Sequence, residues 1–228
     1  TPKELDNLIS VGSPQISPDG SQILYTRKCV KDGRNHTTIW MAQTKGSNRA
    51  REITTDRKDG MPRWSPDGKR IAFMRGSKTG CQIYMIDMAG GEAQRLTTFP
   101  EGSIADIQWS PKGDTLAISY RRTEEPYTHA AAEKRKQNKE SDPPIITEEA
   151  WYRLDGDGYF GHARFQLYLV DATNGNYKNI WKKDNMGFFS YCWAPKGDKI
   201  AIATNTSKKA LYDSRHTKVV IHNATTGK

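Results

Sequence analysis

Apolar residues come in short runs along this chain, and polar turns divide them. Ile71-Ala72-Phe73-Met74, Leu116-Ala117-Ile118 and Ile200-Ala201-Ile202 are runs of this kind. Each is too short for a helix and is bounded by Gly, Pro, Asp and Ser, the punctuation of strands. The second stretch of the pattern is the cleanest. Pro62–Trp64, Arg70–Arg75, Gln82–Asp87 and Ala93–Leu96 read as four strands, with turn residues at Pro66-Asp67-Gly68, 76–80 and 88–91. Four short antiparallel strands in one unit of ~45 residues mark a β-propeller blade.

One turn phrase recurs four times. It reads Ile16-Ser17-Pro18-Asp19-Gly20, Trp64-Ser65-Pro66-Asp67-Gly68, Trp109-Ser110-Pro111-Lys112-Gly113-Asp114 and Trp193-Ala194-Pro195-Lys196-Gly197-Asp198. Pro pre-sets the first central position of a turn, and Gly accepts positive φ. The Ser and Asp side chains can bond nearby backbone amides. The Trp before the last three turns is expected to pack on a neighbouring repeat.

The spacing of the phrase sets the architecture. Ser17, Ser65 and Ser110 stand 48 and 45 residues apart, but Ser110 and Ala194 stand 84 apart. The expected fold is therefore all-β, a partial β-propeller of about four blades, each a four-stranded antiparallel sheet, with the last blade incomplete. The blades fall at about 13–56, 57–99, 100–182 and 183–228. The excess of about 39 residues lies in the third blade, between its second and third strands, at 121–164. Residues 1–12 lie outside the repeat. Thr1-Pro2-Lys3-Glu4 resembles a capping box, and Leu5, Leu8 and Ile9 fall on one face, so a short helical segment docked on the first blade is expected. The chain stops after a third strand in its last unit, which suggests a piece of a longer propeller.

Inside the insertion, 121–140 is rich in Glu, Lys, Arg and Ala, and could be an exposed helix around Ala130–Lys139 or a disordered loop. Pro143-Pro144 stops any helix. The second half, 145–162, carries Trp151, Tyr152, Tyr159 and Phe160 and is expected to be ordered and packed.

Composition narrows the function classes. Of 228 residues, 35 are Lys or Arg and 26 Asp or Glu, a formal charge of +9. The basic residues are scattered, with no aromatic-interleaved stripe of the kind single-stranded nucleic acid uses, so no nucleic-acid partner is expected. No run of ~18 apolar residues occurs, so no membrane span is expected. The start shows no secretory-leader pattern; a cytoplasmic location is favoured, with periplasmic or secreted placement open. Asn35-His36-Thr37, Asn205-Thr206-Ser207 and Asn223-Ala224-Thr225 are sequons that matter only after secretion in a eukaryote. Cys29, Cys81 and Cys192 form no CxxC pair, and buried or half-buried thiols are expected. Asp155-Gly156-Asp157-Gly158 lacks the remaining oxygen donors of a calcium loop and reads as a tight turn. No cofactor or metal is expected.

Two stretches carry a resemblance. The opening, Thr1-Pro2-Lys3-Glu4-Leu5 with Ser13-Pro14-Gln15-Ile16-Ser17-Pro18-Asp19-Gly20, resembles the start of the propeller in the prolyl oligopeptidase family, acylaminoacyl-peptidase branch. The second is Trp151-Tyr152-Arg153-Leu154-Asp155-Gly156-Asp157-Gly158-Tyr159-Phe160 with 162–171, which resembles a stretch leading from a propeller insertion into the next strand. The resemblance implies a parent serine peptidase whose propeller gates or filters short peptide substrates for an α/β-hydrolase domain. That domain, C-terminal in the same protein, is then the expected partner. This chain has no Gly-x-Ser-x-Gly nucleophile elbow, so it is expected to be non-catalytic by itself. A Tol-like propeller serving as a protein-interaction module, without peptidase activity, is the alternative.

The substrate-gating candidates lie in the insertion: Arg121 and Arg122 at its entry, then Glu148, Glu149, Tyr152 and Arg153. In dipeptidyl-peptidase relatives a Glu pair grips the substrate amino group, and two carboxylates can hold an ammonium. The surroundings of Glu148-Glu149 differ from that branch, and an exposed charged turn is the favoured reading. An incomplete ring would also expose an apolar blade face and favour self-association.

Overall fold

A computed structural model describes residues 4, 7–46, 50–56, 58–146, 148, 153–155, 158–159 and 161–225. Four antiparallel sheets follow one another along the chain. The first joins β1 (Ser10–Ile16), β2 (Gln22–Lys31), β3 (Arg34–Gln43) and β4 (Arg51–Glu52) in that order. The second joins β5 (Asp59–Trp64), β6 (Arg70–Ser77), β7 (Gly80–Asp87) and β8 (Gln94–Arg95). The third contains β9 (Gly102–Trp109), β10 (Thr115–Arg122), β13 (Gln166–Asp171) and β14 (Tyr177–Trp181), and the fourth β15 (Ser190–Trp193), β16 (Lys199–Thr204) and β17 (Lys218–Asn223). Between β10 and β13 lie helix α1 (His129–Asn138) and a hairpin of β11 (Arg153–Leu154) and β12 (Gly158–Tyr159). This is the expected partial propeller, with its insertion inside the third sheet.

The core is not one globule. It consists of three seams, each between consecutive sheets. Leu24, Ile39 and Met41 of the first sheet meet Trp64, Ile71 and Phe73 of the second. Ala72 and Ile83 meet Ile104, Ile107, Leu116, Ile118 and Val170 of the third. Ala117, Leu167 and Leu169 meet Tyr191, Ile200 and Ile202 of the fourth. The period of two along a strand explains the sharing. Leu116 and Ile118 of β10 point into one seam, and Ala117 into the next. Strands buried on both faces appear in sequence as continuous apolar runs, as these do.

The repeated turns are built as their residues dictate. Ser17 Oγ donates to Asp19 Oδ1 at 2.5 Å and accepts from the Gln22 amide at 2.9 Å. Ser65 Oγ donates to Asp67 Oδ1 at 2.6 Å and accepts from Arg70 N at 2.9 Å. In the third copy, where Lys112 replaces Asp, Ser110 Oγ reaches Asp114 Oδ1 instead, at 2.7 Å. The fourth copy has Ala194 in place of Ser and no hydroxyl to do this. The turns also stack from blade to blade. A Cβ on Gly68 would stand 3.7 Å from Pro18 Cδ, one on Gly113 3.5 Å from Pro66 Cδ, and one on Gly197 3.4 Å from Pro111 Cδ.

The tryptophans sit on neighbouring blades as expected. Trp64 is buried against the first sheet, and Trp109 Nε1 donates to the Arg63 carbonyl of the second at 3.1 Å. Ile16 holds the same position in the first copy and is 64% exposed, with no described sheet packed on it.

Several expectations change. β1 begins at Ser10, inside the segment expected to be helical. Thr1-Pro2-Lys3 and Leu5 lie outside the described residues, and Leu8 and Ile9 are exposed, so neither docks on the first sheet. Cys29 and Cys81 are half-buried free thiols, but Cys192 is exposed. On β15 the inward position belongs to Tyr191, and alternation turns Cys192 outward. The 129–138 segment is a helix without a buried side chain, not a disordered loop. No described helix is long and apolar enough to cross a membrane.

Candidate functional site at the neck of the insertion

The insertion leaves the third sheet at the end of β10 and returns at β13. A register shift between Ser119 and Tyr120 re-aims the last three residues of β10. Tyr120 turns inward, stacks on Phe99 with ring centroids 4.4 Å apart, and donates its hydroxyl to the Pro100 carbonyl at 2.7 Å. Burial holds this phenol well above its ordinary pKa, so it stays a neutral donor. Arg122 pairs in register with Gly102, where any Cβ would strike the Arg121 carbonyl and the Tyr120 ring. The glycine is what lets β9 approach this closely.

Beyond Arg122 the chain is tied back at once. Thr123 N donates to the Glu101 carbonyl at 2.8 Å. A 3-10 turn at Glu125–Tyr127 leads to Thr128, which caps α1 by accepting from Ala131 N at 3.2 Å. The Glu101 carboxylate accepts from His129 N at 3.0 and 2.9 Å, a favourable place for negative charge at a helix start. After α1, Pro144 offers its carbonyl to the Tyr127 hydroxyl at 3.3 Å. On the return, Glu124 Oε1 accepts from Ala163 N at 2.7 Å. Arg164 donates to the Gly161, Ala163 and Asn185 carbonyls at 2.5, 3.2 and 3.3 Å. Glu124 and Arg164 therefore close the neck.

Two clefts flank this neck and share Arg122, Thr123, Glu124, His162 and Ala163. One, of about 670 Å³, adds Glu125, Arg164, Lys182 and Asp184. The other, of about 700 Å³, adds Arg121, Tyr127, Pro143, Ile145, Ile146, Glu148 and Tyr159. Asp184 is buried and fully engaged: it accepts from Gly187 N at 2.6 Å, Thr204 Oγ1 at 2.6 Å and Asn205 N at 2.8 Å. Among the described residues no group of acids, histidines and cysteines is placed to hold a metal ion.

The expected site residues separate here. Arg121, Arg122 and Glu148 come together on one cleft. The Arg121 guanidinium lies 4.6 Å over the Phe165 ring, which points it toward β13. Glu148 is exposed and 3.9 Å from His162 Nε2, an ion pair only when the imidazole is protonated. Arg153 is exposed on the β11–β12 hairpin, 5.8 Å over Tyr159. Glu149 and Tyr152, like Trp151 and Phe160, lie outside the described residues. Glu124, His162 and Lys182 were not legible as cleft residues. Glu124 and Ala163 meet across the whole insertion, and Lys182 arrives from the end of β14; no local pattern records either meeting.

The model of the TolB beta propeller domain matches residues 6–149 and again 61–227, overlapping placements natural for a repeat. The uncharacterized peptidase YuxL of Bacillus subtilis is 29% identical over 183 residues, which cover 79% of this chain and 27% of that protein. Among solved structures, an acylaminoacyl peptidase of Pyrococcus horikoshii superposes with TM-score 0.72 at 18% identity, over 97% of this chain and 32% of that one. TolB of Acinetobacter baumannii superposes with TM-score 0.59 at 20% identity, over 96% of this chain and 42% of that one. The chain thus spans about a quarter to a third of these two peptidases.

Proposed function

Since the chain belongs to the TolB beta propeller domain family, we propose that it is the non-catalytic propeller portion of a serine peptidase of the acylaminoacyl-peptidase type. In this reading it filters short peptides for an α/β-hydrolase domain in the same protein. The observation that carries it is the asymmetric coverage. Sequence likeness to a named peptidase spans 79% of this chain and only 27% of that relative, so the match is to one part of a larger enzyme. The neck of the insertion, with Arg121, Arg122 and Glu148, is then the substrate-facing part of the propeller, and Glu149, Tyr152 and Arg153 belong to the same insertion.

The test compares the 228-residue chain with the complete product of its natural gene. Both are given acyl-peptide chromogenic substrates and a fluorophosphonate probe for activated serine. The expected result is turnover and labelling of the complete product only. Turnover by the 228-residue chain alone would overturn the reading. A complete product without a reactive serine would also overturn it, and would favour a Tol-like interaction module.

A further inference from the structure

We infer that the neck of the insertion is a recognition site for the free C-terminal carboxylate of a short peptide whose last side chain is apolar. The inference rests on the reading of this neck as substrate-facing and adds the chemistry of what it takes.

Two acids of the neck are already engaged. Glu124 accepts the Ala163 amide at 2.7 Å, and Asp184 is saturated by two backbone amides and the Thr204 hydroxyl. Those two carboxylates are committed to fixed donors, whereas the third acid of the cleft, Glu125, is exposed and its carboxylate accepts no hydrogen bond from a described residue. Arg122 and Lys182 line the same cleft, are exposed, and form no side-chain hydrogen bond or ion pair with a described residue. The cleft therefore offers two uncommitted cations against one uncommitted acid, so a carboxylate is the complementary ligand. Arginine adds a planar fork that fits a carboxylate bidentately.

The second cleft supplies the other half. It shares Arg122, and its lining includes Ile145 and Ile146, 51% and 66% exposed, and Tyr127 at 44%. Isoleucines left in water after a Pro-Pro stop contribute nothing to any of the three seams. An apolar shelf joined through one arginine to a cationic trough matches the terminal residue of a peptide, which presents a side chain and a carboxylate from one Cα. A simple anion would use only the trough, and an amidated peptide only the shelf.

Acetyl-Ala-Ala-Phe and acetyl-Ala-Ala-Phe-amide are titrated into the 228-residue chain by calorimetry at low salt. They are then titrated into Arg122→Gln and Ile145→Ser, with circular dichroism confirming that both variants keep their sheets. The free acid is expected to bind about tenfold tighter than the amide, the worth of one charge-assisted contact. Arg122→Gln should bring the two peptides within about threefold of each other, while Ile145→Ser should weaken both alike. Equal binding of acid and amide to the unaltered chain overturns carboxylate recognition but leaves the neck as a peptide contact. Failure of both peptides to bind overturns the neck as substrate-facing as well. An acid preference that survives Arg122→Gln overturns the assignment of Arg122.

Discussion

Arg70 of the second sheet donates through Nη2 to the Gly113 carbonyl of the third at 2.9 Å, and its guanidinium lies 5.2 Å over the Trp109 ring. One side chain thus fastens a strand of one blade to the turn of the next. Arg63 does the same one strand away, donating to the Ile107 carbonyl at 2.9 Å and to Asp106 at 3.1 Å. Arg70→Met keeps much of the apolar stem and removes the fork. It is expected to cost about 1–3 kcal/mol, a charged hydrogen bond plus part of a cation–π contact. Urea denaturation measures it; a change under ~0.3 kcal/mol would show that the fork is dispensable. Arg70→Lys should recover only part of the loss, because an ammonium cannot hold the carbonyl and cover the indole together.

Gly175 has φ +75°, and a Cβ there would collide with the Leu96 carbonyl. This glycine closes the β13–β14 hairpin directly against the second sheet. Gly175→Ala should destabilise by more than ~3 kcal/mol, combining left-handed strain with a backbone clash. Gly20, at φ +73° with nothing within 4 Å, provides the control. Gly20→Ala carries the conformational cost alone, about 1–2 kcal/mol. Equal midpoints for the two variants in thermal melts would remove the clash from the account.

The Asp19 carboxyl is held at about 2, first by the Ser17 hydroxyl and then by the Ser21 amide and hydroxyl. Asp67 and Asp114 are lowered for the same reason by Ser65 and Ser110. A carboxyl with a depressed folded-state pKa contributes stability that is full above its unfolded value near ~4 and is lost as pH falls toward the folded value. Carbon-detected NMR titration of Ser17→Ala should find Asp19 moved up toward an ordinary carboxylate, with Asp67 unmoved. An unchanged Asp19 would assign the shift to the Ser21 amide and hydroxyl.

His222 of β17 is buried beside Trp181, and its Nε2 has no hydrogen-bond partner among the described residues. Burial, then Lys178 and Lys183, lower its pKa. The folded chain binds this proton less readily than the unfolded chain, so stability falls as pH drops through about 6.5 and below. Melting temperatures at pH 7.5 and 5.5 should differ, and the difference should shrink in His222→Gln. A gap of unchanged size in that variant would exclude His222 as its origin.

Sequence carried most of the fold and part of the site. The turn phrase, the four sheets and the place of the insertion were legible because their causes are local: Pro and Gly fix backbone angles within five residues, and continuous apolar runs record burial on two faces. Cys192 was misjudged because strand residue type does not give the phase of alternation; Tyr191 took the inward place. The N-terminal pattern of Leu8 and Ile9 suggested a docked helix, yet a strand starts at Ser10. Arg121 and Arg122 were found from their position at the insertion's entry. The neck itself was not, since its closure joins Glu124 to Ala163 and Arg164 to Asn185, pairs that only the finished sheets bring together.

The three seams have a consequence for motion. The second and third sheets each share two seams, whereas the first and fourth each share one. In a nearest-neighbour array, opening free energy depends on how many neighbours hold a unit. Amides of β6, β7 and β10 should therefore exchange with deuterium most slowly, and those of β1 and β17 most quickly. The chain then opens from its two flanks like a fan. The insertion, rooted in the slowest sheet, keeps its neck in register while the outer sheets loosen.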